Sequence, residues 1–326
     1  MIAVRIAGKP RDNDCHTWAD FFELLAVVNL DRSCTLNGAI DRVMDSPEEE
    51  ALDEPDEIPS QRLLVESSPG AAERERARQH FLDAIQLCMW RSSEYGDNYP
   101  FVIAADRSEM RLKDALTDPM YSYLFLLLCG SQPFIVRDNH QLTDGFELFA
   151  SSVLTNLMPA GSQVFLFGKA TSTKYSGTKH GKLAALAADV DGKLHLAPGD
   201  YRDGDRGDGG LDLVAWHDLG DRSGNKLVAF AQCACSRSDW RRKQAEIVPD
   251  VFGAHLTTSP WWMPFVFIPM CFRATTGKWA VPGDVKRVVL VDRLRMMNNC
   301  RDFGSTNAAS GARTLVEAVF ASEEVV

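Results

Sequence analysis

The chain of 326 residues lacks several things, and each absence narrows what it can be. No apolar run reaches the length needed to cross a bilayer. The longest, YSYLFLLLCG (121–130) and WWMPFVFIPMCF (261–272), have the size of core elements. The N-terminus, MIAVRIAGKPRDND, turns polar too early for a secretory signal. There is no surplus of base: the net charge is −10, so bulk charge gives no pull toward nucleic acid. None of the eight cysteines forms a CxxC pair, and Cys233-Ala234-Cys235 is too tight for a usual zinc pair. No histidines stand at HxxxH spacing. These absences lead to the expectation of a cytoplasmic protein with free thiols and no membrane segment.

What is present is ordinary for a soluble globular chain: 45% hydrophobic and 25% charged residues, enough to bury a sizeable core. The acid is unevenly spread. DSPEEEALDEPDE (45–57) holds eight acids and no base, and the rest of the chain carries −2 without it. Residues 45–60 therefore read as an acidic linker.

Periodicity predicts helices at 17–28 (with Thr17 as N-cap), 33–45, 71–92, 118–129, 145–158 and 177–190. A polar helix is expected at 238–248. Strands are expected at 99–106, 109–114, 163–170, 211–216, 226–234, 264–274 and 285–297. The pattern divides near residue 135. A mainly helical region (1–135) precedes an α/β domain (136–326) with a mixed sheet flanked by helices.

Two interruptions stand out. GDGGLDLVAW places Asp212 inside an apolar run, and KLVAFAQCAC places Gln232 inside another. Paired as a hairpin, the two strands bring the start of the first beside the end of the second. A carboxylate and an amide oxygen meeting there suit a hard divalent cation, and Mg²⁺ takes one or two carboxylates with water and substrate phosphate. Glu147, in GFELFASS, is a third candidate ligand. Read singly, Asp212 is a turn residue, Gln232 a satisfied core amide and Glu147 a first-turn acid.

GDGGLD (207–212) followed by a hairpin and QCA resembles the PD-(D/E)xK, or restriction-endonuclease-like, nuclease superfamily, and within it the Mrr-type enzymes that carry Gln in place of Glu. The resemblance spans about residues 136–295. It implies a restriction-endonuclease-like core, with Asp212 as the metal-binding acid of the first core strand and Gln232 at the Glu/Gln position of the next. Glu147 matches the acid of the preceding helix, and Asp208 an additional acidic position. One departure is plain: Ala234 stands where the family has lysine. Lys243, on the expected helix after the strand, is the candidate replacement, orienting water or offsetting charge. The implied activity is Mg²⁺- or Mn²⁺-dependent cleavage of DNA, in restriction or antiviral defence. The resemblance also leaves room for an ATPase or helicase-like subunit and for a homo-oligomer. Candidate DNA-backbone contacts are Lys169, Lys174, Lys179 and Lys182, together with Arg237, Arg241 and Arg242. The competing expectation is a catalytically inactive DNA-binding or assembly subunit that keeps the fold without the lysine.

Overall fold

A two-residue strand, β1 (Arg5–Ile6), leads into helix α1 (Cys15–Val28) in the computed structural model of the chain. The structure describes residues 5–6, 8–45, 69–136, 140–168, 174–202, 205, 207, 209–221, 223–300 and 307–321. The acidic tract from residue 46 onward lies outside them. Helix α1 starts two residues before the expected Thr17 cap, and every residue from His16 to Val27 is buried. A helix surrounded on all sides belongs to the core of a large domain.

The helix expected at 33–45 divides into β2 (Ser33–Thr35) and α2 (Leu36–Asp45). After α3 (Pro69–Tyr95) come β3 (Phe101–Ile103) and β4 (Glu109–Leu112). β4 lies between β2 and β3, antiparallel to both, with Cys34 opposite Met110. This pairing draws Ser33–Thr35 away from the helix, a tertiary contact overriding local preference. Helix α4 (Asp118–Gly130), β5 (Ile135–Val136, paired with β1) and α5 (His140–Leu157) complete the first half.

The second half supplies β6 (Gln163–Leu166), α6 (Lys179–Asp189), β7 (Lys193–Leu194), β8 (Leu213–His217) and β9 (Leu227–Cys233). Two single-turn helices follow, α7 (Trp240–Lys243) and α8 (Pro249–Phe252), then β10 (Leu256–Thr257), which pairs with β7. Last come β11 (Met263–Phe267), β12 (Val289–Val291), α9 (Arg293–Asn299) and α10 (Asn307–Phe320).

Two expectations fail here. The polar helix 238–248 shrinks to one turn because Gln244 is tied to another segment. Its Nε2 donates to the Asp284 carbonyl (2.8 Å), and its Oε1 accepts the Lys286 N–H (2.9 Å). The strand expected through 285–297 stops at Val291, where Asp292 caps α9 by accepting the Arg295 N–H.

The main sheet has the order β12-β11-β9-β8-β6. β6, β8 and β9 run antiparallel in sequence; the chain then crosses through α7 and α8 to β11, which is parallel to both β9 and β12. The molecule is thus mixed α/β. Side chains alternate between faces. Leu213, Ala215, Ala231, Cys233 and Phe267 pack with α1, α4 and α5. Val214, Trp216, Phe230, Ala234 and Val266 pack with α6 and α8. The first cluster runs from Ile6 to Val319, so one apolar core continues across residue 135. No helix among the described residues is long and apolar enough to cross a membrane.

Candidate functional site

Asp212 enters β8 from a loop of unusual backbone. Gly209 and Gly210 have φ of +72° and +89°, where side chains are disfavoured. A Cβ on Gly210 would lie 3.1 Å from a Glu246 carboxylate oxygen. Beyond this turn the ladder already holds Asp212: the Phe167 N–H donates to its carbonyl (2.8 Å), and its own N–H donates to the Ala231 carbonyl (3.0 Å). Leu213 pairs with Ala231, so Asp212 falls one step further along, toward Gln232. Its side chain is half-buried, and its Oδ2 accepts the Cys233 backbone N–H at 2.7 Å.

The neighbours of the Cys233 thiol locate the other charges. Burial pushes this thiol well above its ordinary pKa; the charges of Asp212 and Glu147 push it further, and Lys243 opposes them. Asp212, Glu147 and Lys243 are thus the charges that act on the Cys233 thiol at the end of β9. Glu147 is buried there on α5.

Gln232 departs from the expected trio. As the residue before Cys233 on a strand, it points to the other face. There it is 3% exposed, and its Nε2 donates to Glu246 Oε2 at 2.8 Å. Gln232 and Glu147 thus approach the sheet from opposite sides and do not meet at one ion. On β9 it is Cys233 that joins the apolar cluster on the α5 side, and Cys235, two residues past the strand, packs against the same cluster. Among the described residues, no group of three or more His, Cys, Asp or Glu is placed to hold a metal. The donor pair left at the strand end, Asp212 and Glu147, offers hard oxygen and fits Mg²⁺, which one or two carboxylates suffice to bind.

The expected basic face is dispersed. Arg237 is held on Asp20 (Nη2 to Oδ2, 2.7 Å), and Arg241 on Asp284 (2.6 Å). Lys182 is buried, donating to the Gly168 carbonyl at 3.4 Å. Lys174 lies among aromatic rings beside Asp189, and Lys179 stands 4.0 Å from Asp205. Arg242 alone of these six keeps most of its side chain in solvent, at 74%. Burial or a carboxylate partner engages each of the other five. Asp208 and Lys169 lie outside the described residues.

Two features were missed in the sequence. Glu246, the partner of Gln232, is one. The other is a buried ionic cluster that ties α1 to α3, α9 and the loop after β9. Arg91 Nη1 sits 2.8 Å from Asp20 and 2.9 Å from Glu23; Arg293 Nη1 reaches the same two acids at 3.2 and 3.5 Å. Tyr99 and Tyr123 donate to Glu23 at 2.8 and 2.9 Å. Burial alone would raise the Asp20 carboxyl; Arg293, Arg91 and Arg237 outweigh it and hold the group well below the usual carboxylate range. The signal was available: two acids, three residues apart, inside an otherwise apolar helix.

No family model, curated protein or solved structure matches the chain.

Proposed function

We propose that the chain is a metal-dependent endonuclease that hydrolyses DNA phosphodiester bonds on a restriction-endonuclease-like core, serving restriction or antiviral defence. The observation that carries this reading is the Asp212 carboxylate held on the Cys233 N–H at the end of β9, with buried Glu147 of α5 among the charges that act on the same thiol. The chain order supports it: an acid on helix α5, an Asp opening β8, then β9 ending beside that Asp. A crossover to parallel β11 follows. Asp212 and Glu147 would hold Mg²⁺ or Mn²⁺, which supplies charge neutralisation at the phosphate and a more acidic water. The Cys233 N–H fixes the Asp212 carboxylate. Lys243 brings a positive charge to the same strand end, the role that Ala234 leaves vacant. Gln232 supports the site from the opposite face, through Glu246 and the Gly210 turn.

Supercoiled plasmid with Mg²⁺ or Mn²⁺ tests this. Asp212→Asn and Glu147→Gln should each lower cutting by about 10²-fold or more while circular dichroism is unchanged. A wild-type chain that cuts nothing with either metal, alone or with an ATPase partner, sinks the proposal.

A second reading is an inactive DNA-binding or assembly subunit. What favours it is Ala234, which leaves the strand without the family's lysine. Binding of DNA that weakens steeply with salt, without cleavage, would establish it.

A further inference from the structure

Strand β6 lies at the edge of the main sheet, and there it builds an aromatic box with β8. Phe165 and Trp216 stack with centroids 5.4 Å apart and planes at 27°. Tyr175 stands edge-on to Phe165 at 6.2 Å. The Tyr175 hydroxyl donates to Asp189 Oδ2 at 2.6 Å, which places a carboxylate at the rim. Inside sits the Lys174 ammonium. It lies 4.6 Å from the Phe165 centroid, 4.9 Å from Trp216, 5.8 Å from Tyr175 and 3.2 Å from Asp189 Oδ2. All three ring distances fall within the roughly 6 Å over which a ring face attracts a cation.

The walls and the occupant differ in how firmly they are held. Tyr175 and Trp216 are 1% and 6% exposed, whereas the Lys174 side chain is 34% exposed. Two buried walls and the partly buried Phe165 thus enclose an arm that reaches solvent. A primary ammonium is also a poor fit for such a box, because it is a compact and strongly hydrated charge. A methylated ammonium has already exchanged its N–H groups for apolar surface, and aromatic cages with an acid at the rim suit it better.

We propose that Phe165, Trp216, Tyr175 and Asp189 form a binding site for a trimethylammonium group, with Lys174 as its tethered competitor. The ligand enters as Lys174 swings out, and Asp189 keeps a counter-charge in either state. Trp216 is near the end of β8 opposite Asp212, so the site does not depend on the nuclease reading.

The test is calorimetric titration of the full chain with tetramethylammonium chloride against a sodium chloride control. Lys174→Ala should bind the probe on the order of ten-fold more tightly than wild type, because a tethered competitor acts at millimolar effective concentration. Adding Trp216→Ala to Lys174→Ala should abolish binding; if that chain does not fold, Phe165→Leu is read in its place. Two further ligands distinguish the source of the group. A trimethyl-lysine peptide that binds more tightly than choline, with the unmethylated peptide inert, assigns a modified protein tail. Equal binding of peptide and choline assigns a small quaternary amine. No saturable heat with Lys174→Ala, or binding retained when Phe165 and Trp216 are both replaced, overturns the proposal.

Discussion

His16 and Asp20 sit one turn apart on α1, and both titrate abnormally for reasons that share a sign. Burial, then Arg237, lowers the His16 imidazole from 6.5 to about 3, so the folded protein holds it neutral. Such a group contributes fully above its unfolded pKa. Below about 6.5 the unfolded chain takes up the proton first, and stability falls by about 1.4 kcal/mol per pH unit. Asp20 acts the same way at lower pH: its depressed carboxyl stabilises above the ordinary carboxylate range and loses that contribution as pH falls below it. Urea unfolding between pH 7 and 4 should show a steep loss in wild type and a shallower one in His16→Gln. Equal slopes would show that His16 is not held neutral. Asp20→Asn leaves Arg91, Arg237 and Arg293 without their shared acid, and should cost about 3–5 kcal/mol at neutral pH, read from the urea midpoint. At this scale the sequence was legible only in part. That Asp212 lies across from Gln232 at a strand end followed from hairpin geometry. Which face each side chain takes did not, because the preceding loop sets it. Nor did the partners of Asp20 and Glu23, which come from elements far along the chain.

Elements with a strong apolar period were readable, and those decided by distant partners were not. The helices at Cys15–Val28, Pro69–Tyr95, Asp118–Gly130 and His140–Leu157 carry enough apolar surface to declare themselves. Strands β8 and β9 came within a few residues of expectation for the same reason. Ser33–Thr35 and the segment after Asp239 went wrong because their partners, β4 and the 284–286 loop, are invisible in a local window. The turn before β8 is the element on which the candidate site depends most. Gly210→Ala forces a Cβ into a left-handed backbone and against Glu246. The backbone strain alone is about 1–2 kcal/mol. Thermal melting should show a loss of that order. If the nuclease reading holds, cleavage should fall by considerably more, because the turn delivers Asp212 to its position on the Cys233 N–H. Activity loss no greater than the stability loss would mean that the turn is structural only.

The helical first half and the sheet-bearing second half share one interior. Phe21, Phe22, Leu124 and Phe125 belong to the same apolar cluster as Ala231, Phe267 and Val316. The buried ions cross the same divide: Asp20 of α1 holds Arg237, four residues past β9, and Arg293 at the start of α9. A piece comprising residues 136–326 would lose the part of this cluster that α1, α3 and α4 supply and leave both arginines without Asp20. Charges stranded in that way, together with a lost core, exceed the margin by which a domain of this size is stable. The full chain should therefore unfold in one calorimetric transition, and the 136–326 piece should lack cooperative melting. If that piece melts cooperatively and protects the β8 and β9 amides from exchange, the two halves are separable, and the Arg237–Asp20 contact is a docking contact between domains. In the integrated molecule, α1 acts on the candidate site without touching it. Its Asp20 anchors the segment that carries Lys243, so on the nuclease reading a change at Asp20 should shift plasmid cleavage as well as melting.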